Sequence, residues 1–209
     1  MRRVAWLPAS LGLLAIIASP VRAQFEEPDT IPRFSIGATA ELVFRGKRGE
    51  TSQGTDVSFG GGPALGLRLE YRLTSTLGIA AAGSWAHPKE RLRGANFAIS
   101  SSDAFNMWQF SGELMLRVKP KIPGFFILGG GVRYTDPVSV DPGDYQHNVT
   151  SFTEPLGIIG AGVELARRRS RLFKVDFRLY MVAPSDQLKF ETKSVELDLG
   201  VDLEFLLRF

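Results

Sequence analysis

The chain ends in "VELDLGVDLEFLLRF", residues 195–209, and this stretch decides the fold class. Apolar side chains occupy every second position from Val195 to Phe209, and most positions between them carry a charge. Because successive side chains of a β-strand point to opposite sides, a period of two places all the apolar groups on one face. The segment therefore predicts a strand whose two faces meet very different surroundings.

The same alternation recurs in seven segments further upstream. They are Arg33–Arg45, Pro63–Leu73, Leu77–Ala86, Ala104–Lys119, Phe125–Tyr134, Pro155–Leu165 and Phe173–Val182. Phe152 and Pro155 break the parity of the sixth segment, which predicts a bulge there or a late start of that strand. Many of the segments are about ten residues long, the length of a tilted strand that crosses a bilayer.

The connections between these segments alternate in length. Leu73–Thr76, Pro120–Gly124 and Ala166–Leu172 are short, whereas Gly46–Gly62, His87–Asp103, Thr135–Ser151 and Ala183–Lys193 are long and polar. A barrel with tight turns at one end and long loops at the other has this rhythm. The sequence therefore predicts an all-β domain over residues 33–209, folded as an eight-stranded antiparallel up-and-down transmembrane β-barrel.

The first residues have the features of an export signal. Residues 1–23 combine a positive start, at Arg2 and Arg3, with an apolar stretch and a small-residue site that ends at Ala23. This pattern is typical of a cleaved secretory signal peptide, and the apolar stretch is short for a spanning helix, which is the alternative. Residues 24–32 are then expected to form a periplasmic leader.

Charge and cysteine content narrow the function classes. The formal net charge of +3 comes from the signal peptide, because the rest of the chain carries 22 basic and 22 acidic residues. A neutral mature chain gives no reason to expect nucleic-acid binding. The chain contains no cysteine, so disulfides, cysteine-ligated zinc and thiol nucleophiles are excluded.

The polar face of the strands predicts a lumen charge network. An eight-stranded barrel is just wide enough to be filled by side chains, so charges of both signs are expected to pair inside it. Lys174 and Arg178 are the expected partners of the acidic last strand. The full predicted network is Glu41, Arg68, Glu70, Arg72, Glu113, Arg117, Arg133, Glu164, Lys174, Asp176, Arg178, Asp198, Asp202 and Glu204.

Aromatic residues collect at the strand ends, which favours apolar side chains facing lipid. Phe34, Tyr71, Phe126 and Phe173 are expected near the turn end, and Phe44, Trp85, Trp108 and Tyr134 near the loop end. Amphipathic rings prefer the two membrane interfaces. The opposite arrangement, with apolar side chains inside, would define a soluble secreted lipocalin-like carrier.

The last strand resembles that of bacterial outer-membrane β-barrel proteins. Val201, Leu203, Phe205, Leu207 and Phe209 match the family's pattern of alternating apolar residues with a terminal phenylalanine. The resemblance, which covers about Arg33 to Phe209, implies a Gram-negative outer-membrane location and recognition of these five residues by the barrel-assembly machinery. Its small members are OmpA-like, OmpX-like or OmpW-like.

No catalytic, cofactor-binding or metal site emerges from the sequence, and the chain is expected not to be an enzyme. His87 and His147 are the only histidines, and both fall in predicted loops. The loop segments Phe44–Asp56 and Thr135–His147 are the candidates for contact with a surface ligand.

The sequence favours a monomeric, porin-like membrane protein with a structural or surface-interaction role, exercised through its extracellular loops. Outer-membrane lipid is its expected surrounding, and the charged residues are expected to plug the lumen. The alternatives are OmpW-like passage of small hydrophobic solutes and the soluble carrier.

Overall fold

The structure is a computed structural model. It describes residues 32–50, 56–94, 97–118, 123–139, 151–167, 170–185, 192–193 and 195–209. The predicted signal peptide and most of the leader lie outside the described residues. Within these ranges, no helix is long and apolar enough to span a membrane.

In the part of the chain that the structure describes, twelve antiparallel strands form one continuous sheet. They are β1 (Phe34–Phe44), β2 (Lys47–Glu50), β3 (Asp56–Phe59), β4 (Gly62–Arg72), β5 (Leu77–Ala86), β6 (Lys89–Gly94), β7 (Phe97–Arg117), β8 (Gly124–Ser139), β9 (Phe152–Arg167), β10 (Arg171–Val182), β11 (Thr192–Lys193) and β12 (Glu196–Arg208). Eight of them close a barrel in the order β1, β4, β5, β7, β8, β9, β10 and β12.

The barrel closes at a seam between β1 and β12. The register runs without interruption from Ser35 opposite Arg208 to Phe44 opposite Leu199. Beyond it, the Phe209 amide donates a hydrogen bond of 2.9 Å to the Phe34 carbonyl. A closed ladder leaves no sheet edge within the barrel wall, which is what hydrocarbon surroundings require.

Apolar side chains point away from the barrel axis, and charged side chains point into it. On β12, Leu199 and Leu203 are 58 % and 46 % exposed, whereas Asp198 and Asp202 are 0 % and 3 % exposed. The predicted eight-stranded transmembrane barrel is therefore confirmed. The soluble lipocalin-like alternative is wrong, because it requires the opposite orientation.

The long loops contain more strand than the sequence predicts. β2, β3, β6 and β11 lie in segments expected to be polar loops, and β8 continues through Thr135 to Ser139. β2 pairs with both β3 and β11, and β3 pairs with β6, so a sheet extends beyond one side of the barrel. These strands form because backbone amides need hydrogen-bond partners outside the bilayer too. The sequence does not reveal them, because strands outside the bilayer lack the lipid-facing residues that give a barrel strand its period of two.

The sixth barrel strand differs from its prediction. β9 begins at Phe152, and its register with β8 is continuous past Pro155. The irregularity lies at the other end, where Phe173 faces Ala166 but Lys174 faces Glu164. The sequence does not show the period of two clearly here, because the inward face of β9 mixes apolar and charged residues, starting with buried Phe152 and Glu154.

Candidate functional site: the charged lumen

The centre of the lumen is filled by a group that we call the middle cluster. It consists of Arg68, Glu70, Glu113, Lys174, Asp176, Arg178, Asp202 and Glu204. Each of these side chains comes from an inward-facing strand position and is at most 5 % exposed. The alternation of the strands therefore collects eight charged groups from β4, β7, β10 and β12 in one buried volume.

Arg178 connects the most carboxylates in this cluster. Its Nε atom lies 2.6 Å from Asp176 Oδ1, and its Nη1 atom lies 2.9 Å from Glu113 Oε1. Its Nη2 atom lies 2.7 Å from Glu204 Oε1 and 3.3 Å from Asp202 Oδ2. Since β8 and β9 separate β10 from β7 in the barrel wall, the pair with Glu113 crosses the lumen.

Arg68 and Lys174 add the last carboxylate of the cluster, Glu70, and also contact carboxylates that Arg178 binds. Arg68 contacts Glu113 at 2.7 Å, Glu70 at 2.8 Å and Glu204 at 3.4 Å. Lys174 pairs with Glu70, and its Nζ atom lies 3.2 Å from Glu204 Oε2. The result is a connected network rather than a set of isolated pairs.

A second group, the loop-end cluster, lies towards the long loops. It consists of Arg45, Arg48, Arg133, Glu154, Glu196 and Asp198. Arg133 Nη2 lies 2.6 Å from Asp198 Oδ2, and Arg133 Nη1 lies 3.2 Å from Glu196 Oε2. Because Arg133 is on β8 and both acids are on β12, these pairs also cross the barrel.

Arg48 brings the first long loop into this cluster. It pairs with Glu154, and its Nε atom lies 3.2 Å from Glu196 Oε2. Its guanidinium lies 4.4 Å from the Phe59 ring centroid and 5.3 Å from that of Phe152, at distances typical of cation–π contacts. A residue of β2 therefore closes over the loop end of the lumen.

The turn end of the lumen carries a smaller group of ion pairs. Arg117 Nε lies 3.0 Å from Glu164 Oε1, and Arg117 Nη2 lies 3.7 Å from Glu70 Oε2. Arg208 Nη2 lies 4.0 Å from Glu164 Oε2. Ion pairs therefore occur at three heights of the lumen.

The structure brings most of the sequence-predicted lumen residues together. Twelve of the fourteen are buried, while Arg72 and Arg117 are half-buried. Glu41 takes part through a hydrogen bond with Tyr180. Sequence reasoning missed Arg45, Arg48, Glu154, Glu196 and Arg208. Arg48 and Glu154 lie in segments interpreted as loop or as irregular strand, whereas Glu196 and Arg208 lie on the polar face of the last strand and could have been included.

One wall of the lumen is apolar, which the sequence analysis did not predict. Its buried residues come from β7 to β10: they are Met115, Phe125, Ile127, Leu156, Ile158, Tyr180 and Val182. Phe125 and Ile127 belong to the run "FFIL", in which inward and outward residues are equally apolar and the period of two is hidden.

The predicted interfacial aromatic residues lie on the outer surface. Seven of them are exposed, and Phe173 is half-buried: the seven are Phe34, Phe44, Tyr71, Trp85, Trp108, Phe126 and Tyr134. Trp85, Trp108 and Tyr134 are direct register partners on adjacent strands, so they form one row. Of the residues named as an assembly signal, Val201 is half-buried, and Leu203, Phe205, Leu207 and Phe209 are exposed.

The candidate rim residues are only partly described. His87 is exposed, and its Nδ1 atom lies 3.1 Å from Asn106 Oδ1, which also accepts a hydrogen bond from Trp85 Nε1. His147 lies outside the described residues, as do the tips of the two loops named as candidates for surface contact.

The fold is similar to those of solved outer-membrane proteins. The outer membrane protein OprG from Pseudomonas aeruginosa has 14% sequence identity and a TM-score of 0.55, with 86% of this chain and 96% of that chain covered. Neisserial surface protein A has 14% identity and a TM-score of 0.54, with 84% and 97% covered. The outer membrane protein AlkL has 14% identity and a TM-score of 0.50, with 86% and 90% covered. No protein-family model and no curated protein matches the sequence.

These observations define the class of protein. A closed eight-stranded barrel with an apolar exterior and a charged interior is the fold of the small outer-membrane β-barrels. The chain accordingly has the fold of these outer-membrane β-barrel proteins.

Proposed function

We propose that this barrel is a closed, monomeric scaffold that stabilises the outer membrane and presents its long loops for contact at the cell surface. The observation that carries this proposal is the set of ion pairs that cross the lumen in the middle and loop-end clusters. Arg178–Glu113 and Arg133–Asp198 join strands on opposite sides of the barrel. A solute would have to separate buried, oppositely charged groups, which is costly at low dielectric.

The space left between these groups also supports a closed lumen. The cavity beside the middle cluster has a volume of about 20 Å³, which is room for about one water molecule. Ion conduction needs a continuous water-filled path through the lumen. A cavity with room for one water molecule does not provide such a path.

Passage of small apolar solutes is the second candidate, and the apolar wall favours it. Met115 and Phe125 lie at one end of this wall, and Val182 lies towards the loops. Arg68 Nη2 lies 3.2 Å from Met115 Sδ, however, and Lys174 Nζ lies 5.1 Å from the Phe125 ring centroid. Two cations therefore cover the turn end of the wall, which makes a closed lumen the better-supported function.

Two transport measurements test this proposal. In planar bilayers, the purified barrel should give no stable single-channel current. In proteoliposomes, a fluorescent apolar solute should enter at the rate seen with empty liposomes. A stable current or faster entry of the solute would refute the closed lumen, and faster entry alone would favour the second candidate.

A loop replacement tests the surface role separately. Replacing residues 140–147 by a short Gly/Ser turn removes most of the candidate segment Thr135–His147 but no residue of the two lumen clusters. In a strain that lacks the native copy, a purely structural barrel would restore detergent resistance to the same extent with or without this loop. A surface role predicts that the loop variant restores detergent resistance but loses attachment to host or neighbouring cells.

A further inference from the structure

The barrel strands meet the turn end with arginine residues. Arginine is the terminal residue of β4, β7, β9, β10 and β12 on this side, and an arginine directly precedes β1. Six of the eight barrel strands therefore carry an arginine at the same end. Those whose side chains the structure describes form a group that we call the arginine collar: Arg33, Arg72, Arg117, Arg171 and Arg208.

The charge at the turn end has a single sign. The three short connections and the residues that border them, 71–78, 116–125 and 165–173, contain eight basic residues and no acidic residue. The four long connections at the other end contain seven basic and nine acidic residues. A surface that carries one sign of charge attracts partners of the opposite sign. The turn end is therefore suited to an anionic partner, and the loop end is not.

Two members of the collar are accessible to such a partner. Arg117 pairs with Glu164, whereas Arg33 and Arg171 are exposed. In the part of the chain that the structure describes, neither Arg33 nor Arg171 forms an ion pair. Arg171 is also the register partner of Leu207, which is 43 % exposed on the outer face. The position of Arg171 therefore lies on the side of the wall that faces lipid.

The collar borders the apolar outer surface. Phe34 and Tyr71 are the chain neighbours of Arg33 and Arg72, and Phe209 pairs with Phe34 at the seam. These three aromatic side chains are exposed. Aromatic rings of this kind lie at the level of lipid headgroups. The aliphatic part of an arginine can follow such an apolar surface while its guanidinium reaches the phosphate groups beyond it.

We propose that the arginine collar binds the phosphate groups of anionic phospholipids in the leaflet that surrounds the turn end. A guanidinium donates two parallel, charge-assisted hydrogen bonds to phosphate oxygens. Basic clusters beside an apolar membrane surface bind anionic headgroups. A zwitterionic headgroup carries its own cation, which competes with arginine for the phosphate. This contact goes beyond the closed scaffold, because it assigns a lipid class to one end of the barrel.

The leader is the other anionic candidate for this surface. Residues 24–32 contain Glu26, Glu27 and Asp29 and run directly into Arg33. Lipid is favoured because the arginine residues are distributed over six strands around the barrel. Three acidic residues cannot serve all of these strands at once, whereas phospholipids surround the whole circumference.

The test uses the full-length barrel folded in detergent micelles, with native mass spectrometry to count the phospholipids that it retains. The wild type should retain phosphatidylglycerol in preference to phosphatidylcholine added at the same concentration. Arg33→Gln and Arg171→Gln should each bind phosphatidylglycerol about fivefold more weakly, the effect of one basic residue near an anionic surface. Lys89→Gln is the matched control, because Lys89 is an exposed cation on β6 at the loop end.

Stability in vesicles gives an independent result. Phosphatidylglycerol vesicles should give the wild type a higher unfolding midpoint than phosphatidylcholine vesicles, because a ligand of the folded state stabilises it. The double variant Arg33→Gln, Arg171→Gln should lose most of this gain. High salt should also reduce the gain, since it screens exposed charges.

Several outcomes would overturn the proposal. If the wild type retains the two lipids equally, the collar does not select anionic headgroups. If Lys89→Gln weakens binding as much as Arg171→Gln does, binding reflects overall charge. If inorganic phosphate at the same concentration displaces phosphatidylglycerol, the ligand is a soluble phosphate compound. If only the variant Glu26→Gln, Glu27→Gln, Asp29→Asn prefers phosphatidylglycerol, the leader occupies the collar. None of these outcomes depends on whether the lumen conducts, so this proposal can fail while the closed lumen stands.

Discussion

Arg178 shows at the scale of one residue why the lumen is sensitive to single substitutions. One guanidinium lies within 3.3 Å of carboxylate oxygens from four residues on three strands. Charged groups in a dry interior have lost their hydration, so each depends on its partners for compensation. The planar fork of arginine serves several carboxylates at once, which a lysine ammonium does less well.

Arg178→Met should therefore reduce the free energy of unfolding by about 3–5 kcal/mol, the usual cost of breaking a buried pair by removing one partner. The measurement is urea unfolding in lipid vesicles, followed by the shift between folded and unfolded bands on a gel. Arg178→Lys, which keeps the charge but loses the fork, should fall between Arg178→Met and the wild type. A wild-type stability for Arg178→Met would contradict the compensating role.

Gly131 illustrates a constraint at the scale of strand pairs. It lies opposite Ser111, and a Cβ atom added at Gly131 would come within 2.8 Å of the Ser111 Cα atom. β7 and β8 therefore approach too closely there for any side chain. Gly112 lies one position along β7 from Ser111, and a Cβ atom added there would meet nothing within 4 Å.

Gly131→Ala should destabilise the barrel by about 1–3 kcal/mol, the range typical of overpacking. Gly112→Ala is the control and should leave stability nearly unchanged. Unfolding midpoints of the two variants in the same lipid test the pair. Equal midpoints would show that β7 and β8 can separate without cost.

The strand β2 gives a second prediction at the scale of elements. Since Arg48 joins β2 to Glu154 and Glu196, Arg48→Ala should release β2 and β3 from the mouth of the barrel. Hydrogen exchange should then become faster at the amides of β2 and β3 and stay slow along the seam. Lys89→Ala, at an exposed position of the adjoining strand β6, should leave both rates unchanged.

The sequence predicts some strands more accurately than others, and the reasons are physical. β1 and β12 separate apolar from polar residues along most of their length, and their predicted positions are confirmed to within a few residues. β8 and β9 place Phe125, Ile127, Leu156 and Ile158 inside, so their inward faces resemble the outward ones. Pairing partners such as Arg178 and Glu113 depend on the closed topology, which no local pattern contains.

At the scale of the whole molecule, the exterior determines where the barrel can reside. Leu67 is 66 % exposed in the middle of β4, and Leu73 is 45 % exposed at the turn that follows. An apolar side chain near the centre of a bilayer touches only hydrocarbon, whereas one near the turn lies close to headgroups and water. The same substitution should therefore cost different amounts at the two positions.

Leu67→Arg should lower the free energy of unfolding in lipid vesicles by about 2–4 kcal/mol, and Leu73→Arg by at most about 1 kcal/mol, because the cost of a lipid-facing charge falls with distance from the midplane. Equilibrium unfolding of both variants in the same vesicles measures this difference. Equal losses would argue against a bilayer around β4.

The seam between β1 and β12 also sets the order of events when the protein is made. Its partners stand far apart in the chain, so none of its contacts can exist before β12 has emerged. Contacts between residues distant in sequence form slowly, and during this delay two rows of open amides are available to other chains. The vulnerable period ends only when the final residues pair with the strand that begins at Phe34.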